Sequence, residues 1–381
     1  MSEILIRYGE LGLKSRPVRR LMEKQLANNI RIILEKKGFS NFTVIIEKSW
    51  GRLFVSFNAE EHQDLELVSK IIVENVFGII SVSPIYRIGS DIEIIKKEVL
   101  DFARKNIPSN SSFVVRARRT GKHTYTSIEL ERTIGELIYD TLAEEKNLTV
   151  NLTNPDYKLS IEVKDNFAFI YENRNEGFGG FPQGLQGGIC SIFRGSKEDA
   201  VASFLLCKRG ALTLPILFQK KKNNNYSNNI QELDKQVSRV FSFQPLKKMN
   251  YFVVDFDQVF ESIGPERIQC SQCDQICIGI VERIISNNTI LGITLGNSSD
   301  MIQIRNPEGN FGEKYIPIYY PLVALNTNDI PHIFGESFQN KFCLESCPGY
   351  KNQKNKKINP LTQEEILSIV ANASFSQSTL T

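Results

Sequence analysis

Five of the seven cysteines fall in two short stretches, Cys270, Cys273 and Cys277 in one and Cys343 and Cys347 in the other. The two-residue gap of Cys270-Ser271-Gln272-Cys273 puts two thiols on one side of a turn or helix start, within reach of one metal ion or of each other. With Cys343 and Cys347, in Phe342-Cys343-Leu344-Glu345-Ser346-Cys347-Pro348, the chain offers four thiolates, a set suited to zinc or to a four-iron cluster. An odd, clustered set of cysteines favours metal or redox chemistry over structural disulfides. Cys277, one helical turn after Cys273, is expected to pack in a core, as are Cys190 and Cys207 in their apolar runs. The histidines His62, His123 and His332 belong to no recognisable catalytic or metal-binding motif.

A second site is expected at the turn Arg194-Gly195-Ser196-Lys197-Glu198-Asp199. The apolar run Ile189 to Phe193 before it reads as a parallel strand covered on both faces. After it Ala200, Val201, Phe204 and Leu205 fall at helical spacing until Gly210. The first turn of such a helix has unpaired N–H groups and the positive end of the dipole, so it attracts anions. Asp199, ionised, can only accept hydrogen bonds and opposes a phosphate there, whereas Arg194 and Lys197 are good phosphate partners. Two cationic clusters complete the candidates. Lys14, Arg16, Arg19 and Arg20 sit on a loop and helix start, and Arg116, Arg118, Arg119 and Lys122 on a loop with Tyr125, a composition suited to RNA phosphates and unstacked bases.

The elements that must position these residues follow from periodicity and turn chemistry. A strand at Ile4 to Tyr8, a helix at Pro17 to Lys37 and strands near Phe42 to Glu47 and Leu53 to Phe57 form a small βαββ module over 1–60. Over 61–175 come helices near Asp64 to Phe77 and Ile92 to Asn106, a strand Ser112 to Arg116, and a helix capped at Ser127. Strands Lys158 to Val163 and Phe167 to Glu172 close that region. From 176 to 350 strands and helices alternate, as in a doubly wound α/β domain. A polar tail over 351–381 ends in a helix near Gln363 to Ala373. The chain has 381 residues, 41% of them hydrophobic, and a net charge of +3, so a nucleic-acid footprint is expected to be local rather than global. The N-terminus lacks an apolar signal region and no apolar run is long enough to span a membrane, which predicts a cytoplasmic protein without membrane partners.

Several stretches resemble the tRNA 4-thiouridine synthases, the ThiI-type tRNA sulfurtransferases. RYGELGLKSRPVRR at the N-terminus is similar to that family's RYGELALKGK opening. FVVRARRTGKHTYTSIELERTIG and NLTNPDYKLSIEV resemble two signatures of its THUMP domain. Gly177, Gly179, Gly180, Pro182, Gly184, Gln186 and Gly187 match its glycine-rich lead-in, and Val201, Ala202, Leu205, Lys208, Arg209 and Gly210 match the helix after its pyrophosphatase loop. The resemblance implies an α+β and α/β chain with an N-terminal ferredoxin-like module (1–60), a THUMP RNA-binding domain (61–175) and a parallel-sheet PP-loop domain (176–350). It implies tRNA as partner, with a sulfur-donor protein and a homodimer as further associations. By position, the nucleotide-facing residues are Ile192, Phe193, Arg194, Gly195, Ser196, Lys197, Glu198, Asp199, Phe218, Gly292 and Met301.

Here the chain departs from the pattern. Arg194 to Asp199 stands where the family has Ser-Gly-Gly-Ile-Asp-Ser, Leu217-Phe218 replaces a His-Phe pair, Ile293 replaces an acid and Met301 replaces a Gln. An eroded ATP and magnesium site is therefore expected. The cysteines match an archaeal-type CxxC pattern that implies an iron–sulfur cluster on Cys270, Cys273 and Cys347, with Cys343 as fourth ligand or sulfur carrier and zinc as the alternative. Cys347 and Cys343 are then the candidates for the sulfur chemistry. The class alternative is a catalytically retired tRNA-binding paralogue with a structural metal.

Overall fold

The computed structural model describes residues 2–47, 51–58, 64–219, 230–264, 267, 269–286, 289–299, 316–325 and 361–381. Cys343, Cys347, Met301, Trp50 and the polar run 220–229 lie outside the described residues. By contacts the chain divides into two units, 1–74 with 78–179, and 75–77 with 180–381.

In the first unit β1 (Ser2–Tyr8), α1 (Arg16–Lys36), β2 (Phe42–Glu47), β3 (Arg52–Phe57), α2 (Leu65–Asn75) and β4 (Ile79–Gly89) form a βαββαβ half-sheet with order β2-β3-β1-β4. The helix and the strand after the expected βαββ run thus extend that module. β4 pairs with β1 through Glu3↔Ile85 to Tyr8↔Ile79, and its last residues pair with the next half-sheet. That half holds α3 (Ile92–Asn106), β5 (Ser112–Thr120), α4 (Ser127–Lys146), β6 (Thr149–Val150), β7 (Tyr157–Lys164), β8 (Phe167–Tyr171) and the short β9 (Asn175–Glu176). Among the described residues the whole is one nine-stranded sheet. Strand alternation puts Phe113, Val115, Ala117, Leu159, Ile161 and Val163 on the face that meets Ile95, Val99 and Ala103 of α3 and Leu130, Ile134 and Ile138 of α4.

Two local expectations change. β5 runs on to Thr120, because Arg116 to Thr120 stay in register with Ser160 to Lys164 of β7, so Arg116, Arg118 and Arg119 belong to a strand end and not to a loop. The cap of α4 is Thr126: its hydroxyl accepts from the N–H of Glu129, whose carboxylate accepts from the N–H of Thr126.

The second unit is a six-stranded sheet. β10 (Gly188–Phe193), β11 (Leu212–Gln219), β12 (Met249–Asp255) and β13 (Ile290–Thr294) are parallel, with β14 (Ile318–Tyr319) beyond β13. The last strand, β15 (Phe375–Leu380), adds antiparallel to β12, so the order is β14-β13-β10-β11-β12-β15. Nothing in the polar sequence FSQSTL signals that strand; its pairing with β12 makes it one. Helices α5 (Lys197–Lys208) and α6 (Ile230–Phe243) pack together, while α7 (Phe256–Ile263), α8 (Cys270–Ile285) and α9 (Gln363–Asn372) bury Val259, Ile276, Cys277, Ile280 and Ile366 against Cys190, Ile192, Phe218 and Ile293. This is the doubly wound arrangement expected from the alternation.

Candidate nucleotide crevice and RNA-facing residues

In an open parallel sheet, ligands bind beyond the carboxyl ends of the strands where the order reverses. Here the chain leaves β10 toward β11 on one side and returns to β13 on the other, so the switch point lies between β10 and β13. Arg194 follows the first of these strands, and Leu295, Gly296 and Asn297 follow the second.

The crevice is filled by the chain's own charges. Arg194 is 2% exposed and sends one terminal nitrogen to Asp274 Oδ1 at 2.6 Å and the other to Asp199 Oδ1 at 3.0 Å and Asn297 Oδ1 at 3.3 Å. Asn297 Nδ2 donates to Asp274 Oδ2 at 2.7 Å, which closes the ring. The Asp199 carboxylate also accepts the backbone N–H of Arg194 at 2.9 Å and that of Gly296 at 3.3 Å. These backbone donors lie where a bound anion would be held, and an internal carboxylate uses them. Ser196 caps α5 and its hydroxyl accepts from the N–H of Asp199. Gly296 lies so close that a Cβ there would come within 2.4 Å of both Asp199 N and Glu198 C.

The Arg194 guanidinium is shared between Asp199 and Asp274, a pairing that the sequence reading of Arg194 as a phosphate partner did not include. Asp274, one residue beyond the CxxC, and Asn297 were missed by sequence reasoning. Neither stands out in the sequence: Asp274 is one polar residue among Ser271, Gln272 and Gln275 at the start of α8, and Asn297 one of several polar residues past a strand end. Lys197 is half-exposed on the first turn of α5. Glu198 is 3% exposed, and burial foremost, with Asp199 adding to it, pushes its carboxyl above the ordinary range.

Among the described residues the remaining nucleotide positions do not converge. Ile192, Phe193 and Phe218 are buried core residues, the last against the Phe256 ring at 5.2 Å. Gly292 lies against β14, where a Cβ would meet the Tyr319 ring at 2.3 Å.

Cys270 and Cys273 lie on the first turn of α8, Cys270 buried and Cys273 half-buried. Both thiols of the CxxC thus lie on one helical turn. Among the described residues no three His, Cys, Asp or Glu side chains form a group that could hold one, and the other two expected ligands lie outside them. Cys277 is buried in the core, where burial first, and then a hydrogen bond with Cys273, raises its thiol well above the ordinary value. Cys190 is raised by burial, and Cys207 is pushed up to about 12 by the same cause, so all three pack as inert thiols, as expected.

In the first unit Lys14, Arg16 and Arg20 are exposed on the loop and first turns of α1, while Arg19 is half-buried and ion-paired with Glu23 at 3.7 Å. Arg118 and Lys122 are exposed. Arg116 is half-buried and donates to Leu152 O at 2.5 Å, and Arg119 donates to Gly121 O at 3.0 Å. Tyr125 is half-buried, stacked on His123 at 5.6 Å with its hydroxyl donating to Ser90 O at 2.6 Å, and is not an open platform for a base.

A βαββαβ half-sheet, a second half carrying the cationic strand end, and a parallel sheet with a loop at its switch point define a ThiI-type architecture. A model of the ThiI ferredoxin-like domain matches residues 3–83 and one of the THUMP domain matches residues 89–172. A probable tRNA sulfurtransferase of Saccharolobus islandicus is 30% identical over 338 residues, 86% of this chain and 84% of that protein. Another from Methanocaldococcus jannaschii is 29% identical over 350 residues, 88% and 87% of the two chains. The chain belongs to the tRNA sulfurtransferase family. The crystal structure of a Pyrococcus horikoshii protein superposes with a TM-score of 0.62 at 27% identity, covering 87% of this chain and 97% of the other. A 4-thiouridine synthetase solved with RNA and bound ATP shares the fold, with a TM-score of 0.64 at 18% identity over 99% of both chains. No described helix is long and apolar enough to cross a membrane.

Proposed function

We propose that this chain binds folded tRNA and serves sulfur transfer to a tRNA uridine, while ATP-dependent adenylation by the chain alone is feeble or absent. The observation that carries the second half is Asp199, whose carboxylate takes the two backbone donors at the switch point and is held there by Arg194. A polyphosphate would have to expel a buried carboxylate already compensated by a guanidinium, and would then meet Asp274 behind it. tRNA binding is supported by the THUMP match, by the exposed Lys14, Arg16, Arg20, Arg118 and Lys122, and by the RNA in the solved 4-thiouridine synthetase.

Cys270 and Cys273, with Cys347 and Cys343, would hold an iron–sulfur cluster or a zinc ion. A cluster would supply sulfur or redox chemistry and zinc only a structural clamp. Cys343 or Cys347 would carry the transferred sulfur. Iron and sulfide assays with an absorption spectrum on anaerobically purified protein separate a coloured cluster from a colourless zinc protein. The second reading is a tRNA-binding paralogue that thiolates nothing, and the closed crevice favours it over an intact synthase.

The deciding experiment titrates the full chain with labelled ATP and magnesium, with and without tRNA. Absent nucleotide binding alongside intact tRNA binding is expected. Micromolar ATP affinity with AMP release on tRNA would overturn the proposal.

A further inference from the structure

The nine-stranded sheet of the first unit is strongly curled. Strands β3 and β7 stand four places apart, roughly 19 Å in a flat sheet, yet Arg52 Nη2 of β3 donates to Glu162 Oε1 of β7 at 3.2 Å. Phe54 of β3 and Phe169 of β8 meet with ring centroids 5.6 Å apart, again across strands that do not adjoin. The face opposite α3 and α4 is therefore curled inward, and it buries Leu5, Phe54, Ile85, Phe169 and Tyr171 between the ferredoxin-like and THUMP halves.

Glu162 crosses this seam. Glu162 Oε2 accepts from Arg7 Nε and Nη2 at 3.1 and 3.0 Å, and its other oxygen takes Arg52. Arg7 is satisfied on every side: Nη1 donates to Ser83 Oγ at 3.0 Å and the guanidinium lies 4.7 Å over the Tyr171 ring. Arg7 and Glu162 are 6% and 9% exposed, so the pair is held without solvent screening. Outside the seam, on the register partner of Glu162, stands Arg118.

We propose that Glu162 is a positioning residue, a clasp that fixes the two halves as one rigid platform and so sets the spacing between the cationic cluster at Lys14 to Arg20 and the one at Arg116 to Lys122. Two phosphate-binding patches on a rigid body engage one RNA at a high effective concentration, and a loosened body loses that advantage without losing a phosphate contact. The consequence for RNA rests on the tRNA-binding reading above; the coupling of the halves does not.

The test uses the full chain, Glu162→Gln, the double variant Arg7→Met/Glu162→Leu, which removes both members of the buried pair and leaves only the half-buried Arg52 without its carboxylate, and Arg52→Met as the mildest loosening. Amide hydrogen exchange without RNA reads the coupling, and labelled folded tRNA titrated over a series of salt concentrations reads the consequence. The expected result is that β1 and β7 are protected together in the native chain and exchange separately in the variants. tRNA affinity is expected to fall about tenfold with the slope of log affinity against log salt unchanged, whereas loss of a phosphate contact lowers that slope. Joint protection of β1 and β7 in every folded variant would overturn the clasp. Separate exchange with native tRNA affinity would overturn its positioning role. A native chain that binds no tRNA would sink the tRNA reading while the exchange result still decides the clasp.

Discussion

Arg194 neutralises two buried carboxylates, and its removal tests how the crevice is held. Arg194→Met takes the guanidinium away from both Asp199 and Asp274, leaving Asn297 donating to Asp274 and backbone N–H groups donating to Asp199. Uncompensated buried charge of this kind costs about 3–5 kcal/mol, so the urea midpoint should drop well below that of the native chain. Glu198 gives a second test at the same scale. Its carboxyl is raised above the unfolded value of about 4.3, so the folded chain binds the proton more tightly than the unfolded chain does. Its contribution is whole below the unfolded value and is lost as pH rises through the raised one. Glu198→Gln should therefore be more stable than the native chain at neutral pH, with the difference shrinking toward pH 4, as read by thermal midpoints across that range.

Closure of the crevice is also a matter of elements, because the loop after β13 lies directly on the first turn of α5. Gly296→Ala puts a methyl group where backbone already stands, and neither the loop nor the helix start can turn a side chain aside to admit it. Overpacking of this kind costs about 1–3 kcal/mol. The expected outcome is that degree of destabilisation with amide protection lost first at Arg194 to Asp199, measured by hydrogen exchange. The strand β5 shows the same dependence on a neighbour from the other side. Arg118 and Arg119 are set on opposite faces by their pairing with Glu162 and Val163, a placement that a free loop would not impose.

For the whole molecule the governing quantity is the number of phosphate contacts rather than net charge, which is only +3. The triple variant Arg118→Ala/Arg119→Ala/Lys122→Ala should weaken tRNA binding and lower the steepness of its salt dependence, since each lost phosphate contact removes about one counterion from the release. Filter binding at several salt concentrations measures both. Because Arg119 already bonds Gly121 O, most of the loss is expected from Arg118 and Lys122.

What the sequence by itself determined was whatever depends on near neighbours. The helix over 92–106 was legible from its 3.6-residue apolar stripe, the parallel strand at Ile189 from its unbroken apolar run, and the core role of Cys190, Cys207 and Cys277 from their apolar settings. The family resemblance was carried by ordered motifs of the same local kind. The tertiary structure alone decided the rest, because the decisive partners are far apart in the chain. Asp274 meets Arg194 from 80 residues away and Glu162 meets Arg7 from 155, and no periodicity or propensity encodes such a pairing. Asp199 could be read in sequence as a charge opposing phosphate, but only the fold shows it taking the backbone donors that a phosphate would need. β15 is a strand solely because β12 offers it an edge. Local chemistry writes the elements; which charge neutralises which is settled by where the sheets bring them.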